Sequence, residues 1–240
     1  MRILPPVLAL TAIAGASCPS LAGDFAYLKV IGFSPDGGTF AFEEFGEYDG
    51  SGGHYSSIYV IDTNTDSWVT GTPIRVSPED VDLSLAVVRG SAAKKAQTVL
   101  AKYKIQPLGL TVVSNPATEQ SNNPYSVRFK TELYANTAHI WQLDLTPIPL
   151  PEPAGCENLG PTQGFRLVLT DPAANSTILN EDKALPASRH CAQDYAIDTV
   201  VTYTPPNQQP VMVVLLDVST QGFEGPDRRF LAVAAHFQDY

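Results

Sequence analysis

Positions Phe25, Tyr27, Lys29 and Ile31 mark one face of a run in which side-chain character changes at every step, the period expected of a strand with two unlike faces. Ser34-Pro35-Asp36-Gly37-Gly38 follows, a run of turn-forming residues, and 39–45 returns to β-branched and aromatic residues. The pattern predicts a hairpin. A second run, Ser57-Ile58-Tyr59-Val60-Ile61, reaches the polar turn Asp62-Thr63-Asn64-Thr65-Asp66 and re-enters a strand at Trp68-Val69. The Gly-rich stretch 46–54 links the two hairpins, and together they predict a β-meander.

The period then changes. Val81, Leu85, Val88, Ala92, Ala96, Val99 and Tyr103 recur at steps of four and three, whereas Arg89, Lys94, Lys95 and Lys102 fall off that stripe. Ser77-Pro78-Glu79-Asp80 has the form of a helix start, with a capping Ser, Pro at the first helical position and acids in the first turn. One long amphipathic helix is expected over about 78–103, weakened in its middle by Gly90.

Strand patterns resume at 110–113, 125–134, 139–145, 165–169, 196–203, 211–218 and 230–237. The segments 146–153, with four prolines, and 204–210, with three, suit extended edges and surface connections better than central strands. A helix set between strand runs without regular βαβ alternation disfavours a parallel sheet. The expected class is therefore α+β and β-rich, built from antiparallel hairpins and one helix. Residues 23–240 are read as a single secreted domain, with two subdomains, 23–113 and 124–240, sharing a core as the alternative.

Residues 1–22 are read as a cleaved signal peptide. Arg2 supplies the positive start, 3–16 is apolar but shorter than the roughly 20 residues of a membrane span, and Ser20-Leu21-Ala22 places cleavage before Gly23. Cys18 as a lipid anchor is disfavoured by Gly15-Ala16-Ser17, which lacks the Leu normally found ahead of a lipidated Cys. Export predicts that Cys156 and Cys191 form a disulfide. A loop of that length stabilises by about 4 kcal/mol in the chain-entropy model. The formal charge of −10 argues against a nucleic-acid partner, since phosphate backbones need a cationic surface. The expected location is periplasmic or secreted.

Candidate chemistry is sparse. No basic residue lies between Lys29 and Arg75, where Asp36, Glu43, Glu44, Glu47, Asp49, Asp62 and Asp66 cluster on Gly-rich turns. Hard cations such as calcium favour clustered oxygen ligands, so Glu43, Glu44, Glu47 and Asp49 are candidate metal ligands; on a strand, however, Glu43 and Glu44 point to opposite faces. Asp62-x-Asn64-x-Asp66 copies the start of an EF-hand loop, but Ser67 and Pro73 stand where Gly and Glu belong, which leaves an Asx turn. Ser91-x-x-Lys94 lacks the companion motifs of penicillin-binding enzymes, and no nucleophile elbow, zinc helix or phosphate loop is present. His54, His139, His190 and His236 are scattered. Phe223, Glu224, Asp227 and Arg228 form a candidate interaction loop, where an arginine pair could dock a carboxylate.

Two stretches carry resemblances. Gly32-Phe33-Ser34-Pro35-Asp36-Gly37 through Phe42, followed by Ile58-Tyr59-Val60-Ile61-Asp62, resembles a single blade motif of TolB-type β-propellers. A propeller needs several blades, so the resemblance implies a local hairpin. Those segments, the Phe42-Glu43-Glu44-Phe45-Gly46 stretch, the Ala/Lys-rich helix and 221–229 together resemble an uncharacterised family of predicted secreted bacterial proteins. That resemblance implies export and brings no activity or cofactor. No enzyme class is assigned. The leading expectation is a non-catalytic periplasmic binding or interaction module for a protein or small ligand. The alternatives are a calcium-type cation-binding protein and a hydrolase with scattered Ser, His and Asp residues.

Overall fold

The computed structural model describes residues 23–116, 118–119, 121–131, 139–223 and 225–238. The expected signal peptide lies outside them, as does Glu224. In chain order the strands are β1 (Tyr27–Phe33), β2 (Thr39–Glu47), β3 (His54–Asp62), β4 (Ser67–Trp68) and β5 (Ile74–Val76). After the helix α1 (Leu85–Lys102) come β6 (Leu110–Ser114), β7 (Ser126–Phe129), β8 (Trp141–Pro149) and β9 (Gln163–Thr170). The last four are β10 (Ser176–Glu181), β11 (Ala192–Tyr203), β12 (Val211–Gln221) and β13 (Pro226–His236). Strands make up 48% of the described residues and helix 10%, so the α+β expectation holds in a form weighted to β.

The strands form three antiparallel sheets. The first has the order β1-β2-β3-β4 with β5 also paired to β3; the second is β13-β12-β11-β6; the third is β10-β9-β8-β7. The expected meander is the first sheet, and the Ser34 to Gly38 turn joins β1 to β2 as predicted.

Core packing sets the layer order. Val211, Val213 and Leu215 pack with Phe33, Phe40, Phe42 and Ile61 of the first sheet. From the opposite face, Met212, Val214, Leu216 and Val218 pack with Leu143, Leu145, Phe165 and Leu167 of the third. The second sheet is therefore central, and β12 is a continuous apolar run because both its faces are covered. In the third sheet Leu143, Leu145, Phe165 and Leu167 point inward, and the exposed Arg166 points outward. α1 covers the outer face of the first sheet, where Val88, Ala92 and Ala96 meet Ile58 and Val76.

The helix begins at Leu85, seven residues after the expected start. Asp80 explains the delay: its side chain accepts the Asp82 N–H at 3.1 Å and its carbonyl accepts the Leu83 N–H at 3.4 Å. These local bonds compete with a helical turn. Ser84, extended at φ −63° and ψ 150°, precedes the first turn and makes no side-chain cap. Gly90 lies within an unbroken helix.

The proline-rich stretch after residue 145 continues β8 to Pro149, at an edge. β7 pairs only with residues 141–144, and the Leu145 N–H points to that side, toward the Tyr125 carbonyl. Pro147 and Pro149 face the same way, so their missing N–H groups cost no bond to β9. The disulfide between Cys156 and Cys191 is formed.

Leu216, fully buried in the central sheet, and Ile178, 48% exposed on the edge strand β10, make a direct comparison. Leu216→Ala is expected to cost about 2–5 kcal/mol and Ile178→Ala less than about 1 kcal/mol, measured by urea unfolding of the oxidised protein.

Candidate functional site

β13 is an edge of the central sheet, and its unpaired backbone faces three acidic residues. Glu44, on β2, accepts the Phe230 N–H at 2.7 Å. Asp66, at the β3–β4 turn with φ 47°, accepts the Ala234 N–H at 2.7 Å. The Asp24 carbonyl accepts the Arg228 N–H at 2.9 Å. Bonds from backbone N–H to a carboxylate are stronger than neutral ones. Burial nevertheless pushes the carboxyls of Glu44 and Asp66 above the ordinary range, against the pull of those N–H groups.

Between the edge of β13 and the first sheet lies a cleft of about 500 Å³. Phe42, Tyr48, Tyr59 and Trp68 give it aromatic surface; Glu44, Arg75, Arg229 and His190 add polar groups. Phe42 and Tyr59 are stacked at 4.7 Å, with Trp68 edge-on to Tyr59 at 6.0 Å. Trp68 is 42% exposed, and the Arg75 guanidinium stands 5.7 Å from its ring centre. The Tyr59 hydroxyl donates to Glu44 at 3.4 Å, and burial, reinforced by Glu44, drives the phenol pKa up.

At one end of the cleft the lining residues Tyr55, Asp227 and Arg229 are tied together by Asp24. Asp24 is buried and accepts from the Tyr55 hydroxyl at 2.9 Å and from the Arg229 guanidinium, which also lies 4.7 Å over the Tyr55 ring. Asp227 accepts the Asp24 N–H at 3.1 Å. Burial pushes the Asp24 carboxyl up, with Arg229 and Tyr55 opposing. The facing wall is the segment 188–191. Arg189 pairs with Asp182 and stacks 4.7 Å over Phe165, and Cys191 ties this wall to Cys156.

The acidic residues singled out from the sequence are dispersed. Glu43 faces the helix, where Arg89 grips it with two bonds of 2.9 and 2.8 Å and Ser56 donates at 3.0 Å. Burial acts to raise its pKa, but the Arg89 fork and the Ser56 hydroxyl outweigh that and hold it low. Glu44 faces the central sheet, on the other side of β2. Glu47 stands 3.7 Å from His54, and Asp49 lies in the connection from β2 to β3. Among the described residues no group of three or more His, Cys, Asp or Glu is placed to hold a metal ion. Asp62 accepts the N–H groups of Asn64 and Thr65, the expected Asx turn.

Of the candidate interaction loop, Phe223 is 84% exposed at the β12–β13 turn. Asp227 lines the cleft. Arg228 is 3.6 Å from Asp217 and lies 4.6 Å over Phe25. The sequence did not single out Tyr55, Trp68, Arg75 or Arg189; the first three lie on β3, β4 and β5 of one sheet, and Arg189 reaches them from a distant segment only once the sheets stack. Their shared signal is an arginine near aromatic residues, which is weak along a chain.

The model of a family described as "Predicted secreted protein (DUF2259)" matches residues 41–236, and the chain belongs to that family. No curated protein and no solved structure matches it.

A second hollow of about 380 Å³ holds Asp194, Asp217 and Arg228. Burial pushes the Asp217 carboxyl up to about 7; Arg228 opposes this, and Asp198 and Glu44 add to it. The folded protein thus keeps a proton that the unfolded chain has lost between about pH 4 and 7. Stability from this group is full below that window and falls as pH rises through it. Asp217→Asn is expected to flatten the loss of stability between about pH 4 and 7, followed by urea midpoints at stepped pH.

Proposed function

We propose that this member of a secreted-protein family is a non-catalytic binding module of the periplasm whose ligand occupies the cleft between the first and central sheets. The observation that carries this is the cleft itself. Its volume of about 500 Å³ falls in the range of about 300–1,000 Å³ typical of ligand sites, and such sites combine apolar and aromatic walls with a few placed polar groups. Phe42, Tyr59 and Trp68 supply the first, and Arg75 and His190 the second. The sequence holds no nucleophile elbow, zinc helix or phosphate loop, and its Ser91-x-x-Lys94 lacks companion motifs, which supports binding over catalysis.

A ligand held at about a hundred times its Kd stabilises a protein by about 2.7 kcal/mol, which for this chain length raises the melting midpoint by roughly 5–10 °C. A thermal scan against small metabolites, saccharides and short peptides is expected to find such a ligand, and Trp68→Ala with Arg75→Ala to abolish the shift. A shift unchanged in that double variant places the ligand elsewhere. The same scan in millimolar calcium and in EDTA tests the cation alternative at Glu43, Glu44, Glu47 and Asp49, with Glu44→Gln/Asp49→Asn as its control.

A further inference from the structure

The backbone edge of β13 narrows the kind of ligand the cleft takes. In an antiparallel ladder the N–H and C=O of one residue point to the same side and those of the next to the other. Arg228, Phe230, Ala232 and Ala234 point away from β12. Arg228 is engaged in both directions, donating to the Asp24 carbonyl and accepting the Ala26 N–H at 3.2 Å. The N–H groups of Phe230 and Ala234 are capped by Glu44 and Asp66. Ala232 lies between those two, and among the described residues its N–H has no partner.

The open position is also where two hollows meet. The cleft of about 500 Å³ and a smaller one of about 240 Å³ share Trp68, Arg189, Leu231 and Ala232. Together they make a groove along the strand edge, with β4 on one side and the 188–191 segment on the other. Such a floor fits an extended chain: main-chain bonds hold the added strand, and alternate side chains fill the hollows. Of the groove's arginines, Arg189 and Arg229 are paired with Asp182 and Asp24, which leaves Arg75, near Glu44 and Tyr59, as the cation open to a carboxylate of the occupant. Arg75 forms no ion pair among the described residues, although the protein as a whole carries a formal charge of −10.

We propose that β13 takes up an extended acidic peptide as an added strand, bonded to the backbone of Ala232 and held by a carboxylate on Arg75. This rests on the cleft being the binding site. The probe is an array of random heptapeptides, each with one Asp or Glu, bound to the oxidised protein. The best binder is then remade with a single backbone N-methyl group at each position in turn.

Methylation on the side facing β13 is expected to weaken binding at least tenfold, and methylation one residue along to leave it within about twofold. Ala232→Pro removes the outward N–H without breaking a ladder bond, since an edge strand tolerates proline there. It is expected to weaken the peptide at least tenfold, as is Arg75→Ala. Should Ala232→Pro fail to fold, the methylated peptides decide the matter on the unaltered protein. Binding indifferent to methylation, or no peptide binder at all, overturns strand addition. If a non-peptide compound then still depends on Trp68 and Arg75, the cleft remains the binding site. A concentration-dependent dimer abolished by Ala232→Pro makes a second copy the occupant and overturns the peptide proposal.

Discussion

A strand with apolar side chains on both faces, such as β12, forces two further layers onto the sheet that contains it. Val213 and Leu215 demand a cover on one side, and Val214 and Leu216 on the other. The meander of the N-terminal third supplies the first cover and the third sheet the second. This arrangement passes the burden outward, because the first sheet then has two covered faces as well. Its outer face is sealed by α1, and Arg89 fastens helix to sheet by gripping Glu43 on β2 while lying 3.6 Å over the Phe45 ring.

Stacking sheets creates a second demand at their edges. A buried backbone N–H without a partner costs about as much as a lost hydrogen bond, and an open edge invites pairing with other chains. The first sheet answers with carboxylates. Glu44 and Asp66 reach the outward N–H groups of β13, four residues apart, and each carboxylate offsets the desolvation this entails with a charge-assisted bond. The acidity of the region 36–66 thus serves in part to finish the edge of another sheet.

The hairpins were legible because local alternation and turn residues specify them, and the disulfide because two cysteines remain once the expected signal peptide is set aside. The opposite orientation of Glu43 and Glu44 followed from the strand period, but what each would face did not. That depends on a helix and a sheet from later in the chain. β10 was missed because its six residues lie on an exposed edge and carry no alternation. The helix start was misplaced because Ser77-Pro78 offers the right residues while Asp80 offers a competing turn. The cleft could not be read at all: Trp68 and Arg75 of the first sheet lie far in sequence from His190 and Ala232, and the three segments meet only through the stacking order.

The wall at 188–191 also ties the cleft to the cell's redox geography. Before oxidation the segment is held by Arg189, through Asp182 and the Phe165 ring; its covalent anchor through Cys191 to Cys156 forms only where thiols are oxidised. Breaking that bond would leave this wall to the contacts of Arg189, so the shape of the cleft is coupled to the oxidation state of the two cysteines.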